Sequence, residues 1–221
     1  MTSPFDVSLL RVLFVTDGRG DEDRVVRQVR AVIDGGVRAI QVREPLLTAR
    51  QLQELGERLR PVVADVGGLL MVNDRVDCAA AGAFDGAQVG HRSLRPAAAR
   101  QVLSGQQVLG VSAHDHSELQ AAVAARAEFA LLSPIWPVRS KPNAVPIGVE
   151  VAGALTATAG LPVVWLGGVA ADRAHELLAL QPLHRPVGVA VMSGLALAPD
   201  PAFAASRLVA AFAAVLRPAR G

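Results

Sequence analysis

Arg43, Asn73-Asp74-Arg75, Ser112-Ala113-His114, Lys141, Gly167-Gly168 and Met192-Ser193-Gly194 are the positions of this sequence best suited to chemistry. The imidazole of His114 can take and return a proton near neutral pH. Arg43 and Lys141 can hold a carboxylate or phosphate through charge-assisted hydrogen bonds. Glycine-bearing turns offer backbone N–H groups to a phosphate with no side chain in the way. Each position also has a plainer reading. Asn73-Asp74-Arg75 can be a turn that caps the next helix. The glycine pairs can be ordinary strand exits. A lone histidine after a strand is usually a polar surface group. Arg43 can be structural, tied to Glu44 or Asp74. His116 reads as solvent-facing, and His91, His175 and His184 sit in no motif.

These residues need strands that end near them. Short apolar runs bounded by polar groups, suited to strands buried on both faces, occur at 12–15, 39–42, 69–72, 87–89, 108–112, 129–132, 163–166 and 188–191. Helical spacing fills the gaps. Residues 21–33 carry a stripe of Val25, Val26, Val29, Val32 and Ile33, stopped by Gly35-Gly36. Thr48 can cap a helix to about Val63, with Pro61 in its last turn. A short Ala-rich helix is expected at 79–83. Further helices are expected at 96–103, from a Ser117 cap to 126, at 149–158, 172–180 and 201–216. Residues 133–142 form a Pro-rich loop too long for a tight connection, of the kind that often serves as a lid.

Eight strand–helix beats predict a single (β/α)8 TIM barrel over residues 1–221. The alternative, an open doubly wound sheet, needs no eighth strand and places its Gly-rich turn after the first strand. Here the Gly-rich exits follow strands seven and eight, where many TIM barrels bind phosphate. The barrel would bring the candidate residues to one mouth.

The totals fit one compact domain: 221 residues, 51% hydrophobic and 19% charged. Twenty-two Lys and Arg against 20 Asp and Glu leave a formal charge of +2, and no dense basic run marks a nucleic-acid surface. The aromatic content of 4% with no Tyr also argues against base stacking. Cys78 is the only cysteine, which fits a reducing compartment and a buried structural thiol. No signal-peptide pattern and no apolar run long enough for a membrane span is present. The expectation is a cytoplasmic protein with neither membrane nor nucleic-acid partners.

Several stretches together resemble the thiamine phosphate synthase and TenI superfamily. Leu69–Asp77 is similar to its third-strand motif, Gly110-Val111-Ser112-Ala113-His114 to its fifth, and Val163–Val169 to its seventh. Gly188–Leu195 resembles the TenI-type eighth strand, and His91-Arg92-Ser93-Leu94-Arg95-Pro96 a run found in many TenI-type relatives. The resemblance spans nearly the whole chain. It implies a thiazole phosphate ligand, with the phosphate at Gly167, Gly168, Met192 and Ser193. His114 falls on the catalytic base of TenI-type thiazole tautomerases. Arg43, Asn73, Asp74, Ser112 and Lys141 are the implied substrate contacts. Because Gly168 lies at a strand exit, a side chain there is expected to block the phosphate while sparing the fold.

The resemblance also implies a choice of reaction. In the synthase, Asn73 and Asp74 would help hold pyrophosphate and Mg2+. The synthase pattern further needs a lysine after the Arg-Glu pair, a second metal carboxylate after strand four and a threonine in the sixth loop. This chain has Pro45, Ser93 and Val138 there. A serine hydroxyl carries no charge for a divalent cation, and Pro45 has no donor. The leading expectation is therefore a thiazole tautomerase with no cofactor and no metal. Thiamine phosphate synthase, with Mg2+ at Asp74, is the alternative. A non-catalytic barrel that binds a thiamine-pathway phosphate as a regulator is the third reading. A homodimer is implied by the resemblance alone.

Overall fold

The structure is a computed structural model and describes residues 5–138 and 144–216. Eight parallel strands close into one barrel in chain order: β1 Val12–Val15, β2 Ala39–Val42, β3 Leu69–Asn73, β4 Gly86–Val89, β5 Val108–Ala113, β6 Phe129–Leu132, β7 Val163–Leu166 and β8 Gly188–Val191. The circle closes between β1 and β8, where Leu13 pairs with Ala190. This is the expected single (β/α)8 TIM barrel.

The alternating side-chain directions of a strand explain its two cores. Leu13, Val15, Met71, Phe129, Leu131 and Val164 fill the barrel interior. The intervening residues, such as Phe14, Ile40, Leu70 and Trp165, face the helices. Burial on both faces is why the strands read as unbroken apolar runs. At the carboxyl end of the interior, Gln41, Asn73, Gln88 and Ser112 take over the inward positions. Gln41 and Gln88 are 3% and 1% exposed. The amide of Gln41 donates to Asn73 Oδ1 at 2.8 Å, and that of Gln88 to Ser112 Oγ at 3.1 Å. Gly110 makes room for this layer: a Cβ there would lie 2.1 Å from Gln88 Oε1.

The helices are α1 Glu22–Asp34, α2 Ala49–Ala64, α3 Val76–Ala80, α4 Pro96–Val102, α5 His116–Ala124, α6 Val149–Thr158, α7 Ser193–Ala196 and α8 Pro201–Ala213. Short 3-10 helices cover Val7–Arg11, Ala171–Ala179 and Pro182–His184. Several depart from expectation. Helix α5 is capped by Asp115, not Ser117: the Asp115 carboxylate accepts from Glu118 N at 2.9 Å, while Ser117 Oγ donates to it. That backbone bond, with the Ser117 hydroxyl, holds the Asp115 carboxyl below its ordinary range. Helix α3 starts earlier than 79–83 because the turn at Asp74 and Arg75 feeds directly into it. In α1 the buried stripe includes Gln28 where Val26 was expected, because the Gln28 amide has a distant partner described below. The 172–180 segment is 3-10, with Ala174 and Leu177 buried three residues apart. Cys78 is buried as expected, and burial pushes its thiol up. Among the described residues, no helix is long and apolar enough to cross a membrane.

Candidate active site at the carboxyl ends of the strands

The exits of β1 and β2 are tied together by Glu44. Its buried carboxylate accepts from Gly18 N at 3.2 Å and Gly20 N at 2.7 Å. Arg43 N donates to Thr16 Oγ1 at 2.8 Å, and Arg43 and Glu44 line a cavity of about 220 Å³. Asn73, Asp74 and Arg75 from β3, Pro45 from β2 and Arg92 from the β4 loop share its wall. Arg43 forms no ion pair with Glu44 or Asp74, whose carboxylates accept instead from Gly18 N, Gly20 N and the Ser93 hydroxyl. The wall carries both charges: Arg43, Arg75 and Arg92 stand with Glu44 and Asp74, and the Arg75 guanidinium is held by Asp77.

Asp74 sits at φ 62°, in the left-handed region, with its N–H on Gln88 O at 2.8 Å. Its carboxylate accepts the Ser93 hydroxyl, and Ser93 Oγ in turn accepts from Gly90 N at 2.9 Å. Asp74 is therefore bound to the residue that stands in place of the synthase pattern's second carboxylate. Among the described residues, no group of three or more His, Cys, Asp or Glu side chains could hold a metal. Glu44 is already bound to two N–H groups. Asp74 Oδ2 has no hydrogen-bond partner among the described residues, so the lining offers one carboxylate oxygen where Mg2+ is usually held by one or two carboxylates plus substrate phosphates.

Ser112 faces the mouth from β5. The same alternation carries to His114, just past the strand. Its ring lies at the rim, 43% exposed, with Nδ1 2.8 Å from Glu118 Oε2. It lines neither the cavity above nor a second one, of about 160 Å³, formed by Gly90, Ser93, Leu94, Ser112 and Glu118. The imidazole is thus not in the mouth beside Ser112, as expected, but at the rim, held toward α5. Lys141 lies outside the described residues.

Gly167 and Gly168 leave β7 at φ 99° and 69°. The sixth loop rests on them: Trp136 N donates to Gly167 O at 3.1 Å, and a Cβ on Gly168 would lie 2.7 Å from Trp136 Cβ and 2.8 Å from Pro137 O. The expectation that a side chain at Gly168 would spare the fold is thereby corrected. Trp136 is fixed by Glu176, which accepts its indole N–H at 2.8 Å, and by Arg173 stacked over its ring. Met192 leads into α7, whose first residue is Ser193. The far end of α7 is braced from α1: Ala196 O accepts from Gln28 Nε2 at 2.8 Å and Arg24 Nη2 at 3.1 Å. Arg24 also holds Asp17 at 2.7 Å, and that carboxylate raises the guanidinium's pKa further.

Sequence reasoning missed Arg92, Gln88 and Glu118. Strand alternation would have pointed Gln88 inward, and the Asp115–Glu118 spacing is a capping signature. Nothing in the sequence aimed Arg92 at the cavity.

A (β/α)8 barrel with polar side chains and glycine exits at one mouth has the form of an enzyme that acts on small molecules. Residues 12–195 match the family model described as thiamine monophosphate synthase. The chain belongs to that family, and with it to the enzymes of thiamine biosynthesis. It is 37% identical over 183 residues to a putative thiamine-phosphate synthase of Geobacter sulfurreducens, covering 82% of this chain and 84% of that protein. It is 35% identical over 207 residues to thiamine-phosphate synthase of Roseiflexus, covering 93% and 86%. A solved thiamine phosphate pyrophosphorylase from Pyrococcus furiosus superposes with a TM-score of 0.84 at 28% identity, covering 95% and 98%.

Proposed function

We propose that this chain binds a thiazole phosphate at the barrel mouth and isomerises it by proton transfer, as a thiazole tautomerase. The substrate is a dihydrothiazole carboxylate phosphate, and the product is its aromatic isomer. The observation that carries the reading is the Ser93 hydroxyl bound to Asp74 where a metal site would need a second carboxylate. Pro45 and Val138 point the same way, at the second- and sixth-strand exits. Such an isomerisation gains and loses no atoms. A C–H bond at the carboxylate-bearing carbon breaks, its electron pair enters the ring system, and the proton returns elsewhere on the same molecule. His114 is the base. Arg43 with Arg92 holds the carboxylate, and the exits at Gly168 and Ser193 hold the phosphate.

The second reading is thiamine phosphate synthase, which joins a pyrimidine diphosphate to thiazole phosphate with release of pyrophosphate. The names of the relatives favour it, since each one reported above is named as a synthase or pyrophosphorylase. By name the comparisons weigh toward the synthase; by residue the exits of β2, β4 and β6 weigh toward the tautomerase. A chelator separates them. Tautomerase turnover is expected to be unchanged in excess chelator. Product formation that stops with chelator and returns with Mg2+ would decide for the synthase.

A further inference from the structure

The Glu118 carboxylate does two things with one oxygen. Glu118 Oε2 accepts the His114 backbone N–H at 2.7 Å and lies 2.8 Å from His114 Nδ1. The carboxylate is fixed in turn, because Glu118 N donates to Asp115 Oδ1 at 2.9 Å at the start of α5. The other nearby carboxylate, that of Asp115, takes this N–H and Ser117 Oγ at 2.8 Å on Oδ1, and neither of its oxygens is hydrogen-bonded to the His114 ring. An ionised carboxylate only accepts, so a neutral imidazole held this way must carry its proton on Nδ1. That leaves Nε2 as a bare lone pair. In a histidine base, the hydrogen bond on one ring nitrogen decides which nitrogen receives the proton.

We infer that Glu118 is a positioning residue that sets the tautomer and direction of the His114 ring, so that Nε2 is left free as the proton acceptor at the rim of the mouth. The inference rests on the reading of His114 as the base. It adds a function to what is otherwise a helix-capping side chain. Once Nε2 has taken the proton, the ring is a cation on the same carboxylate, so the charged intermediate stays paired.

The test uses the full-length protein labelled with 15N in its histidine rings. At mildly alkaline pH, ring 15N spectra of wild type should show His114 as the Nδ1–H tautomer, assigned by its loss in His114→Ala. In Glu118→Ala the ring should move to a mixture of tautomers, and turnover should fall by about 10–100-fold with thiazole phosphate affinity unchanged. Glu118→Gln guards against a folding defect. Its amide oxygen can still accept from both N–H groups, so the tautomer should persist while turnover drops less than in Glu118→Ala. A wild-type ring protonated on Nε2, or a tautomer unaffected by Glu118→Ala, overturns the inference. So does a Glu118→Ala variant whose tautomer shifts but whose turnover stays at the wild-type level, which would leave Glu118 a helix cap. If His114→Ala itself keeps full turnover, the base reading fails and the positioning role falls with it; the ring spectra still report whether Glu118 holds the ring.

Discussion

Replacing His114 with alanine should lower the rate of aromatic product formation by about 10²–10⁴, the range for loss of a positioned acid–base group. The residue follows β5 and its ring stands at the rim of the mouth, with Nδ1 on Glu118 Oε2. It is the only motif-supported group there that can both accept and return a proton near neutral pH. Binding should change far less than turnover, because the proposed phosphate contacts leave β7 and β8. His116→Ala is the internal control, since His116 begins α5 and is exposed. Rates of product formation for both variants, with thiazole phosphate affinity measured in parallel, check the expectation. Near-wild-type turnover in His114→Ala, or greater damage in His116→Ala, would remove His114 from the mechanism.

Gly168→Val should damage stability and ligand binding together. A side chain at φ 69° costs about 1–2 kcal/mol in left-handed backbone strain. The new Cβ also overlaps Trp136 Cβ and Pro137 O, both well under contact distance, and overpacking of this kind costs about 1–3 kcal/mol. In a chain of this size each kcal/mol lowers Tm by roughly 2–4 °C, so a fall of about 5–20 °C is expected. Trp136 cannot yield freely, because Glu176 holds its indole N–H and Trp165 meets its ring edge-on at 6.1 Å. Thiazole phosphate affinity, measured well below the variant's Tm, should also fall. A lowered Tm with unchanged affinity would leave Gly168 as a seat for the sixth loop and place the phosphate elsewhere.

The barrel was legible because parallel strands covered by helices bury both faces, and eight runs such as Val12–Val15 and Val163–Leu166 announce that directly. Helix ends were less so. Asp115 and Ser117 are both good caps two residues apart, and only the extended backbone at Asp115 decides between them. Helix α7 has four residues, too few to show a period. Gln28 broke its predicted stripe because its partner, Ala196 O, is 168 residues away in sequence.

The site followed the same division. The exits of β2, β3, β5, β7 and β8 were found from strand ends and family resemblance, and the structure gathers Arg43, Asn73 and Asp74 around one cavity. What escaped were relations between residues. Ser93 was read as a lost metal ligand, yet its hydroxyl also engages Asp74. Gly168 was read as space for phosphate, yet Trp136 already stands against it. His114 was read alone, yet it comes with Glu118.

The most direct measurement gives the purified protein the dihydrothiazole carboxylate phosphate alone, in chelator, and follows aromatic product. A parallel reaction supplies pyrimidine diphosphate, thiazole phosphate and Mg2+ and follows thiamine phosphate and pyrophosphate. The account predicts many turnovers in the first reaction and none in the second. Thiamine phosphate in the second with no aromatic product in the first would contradict it.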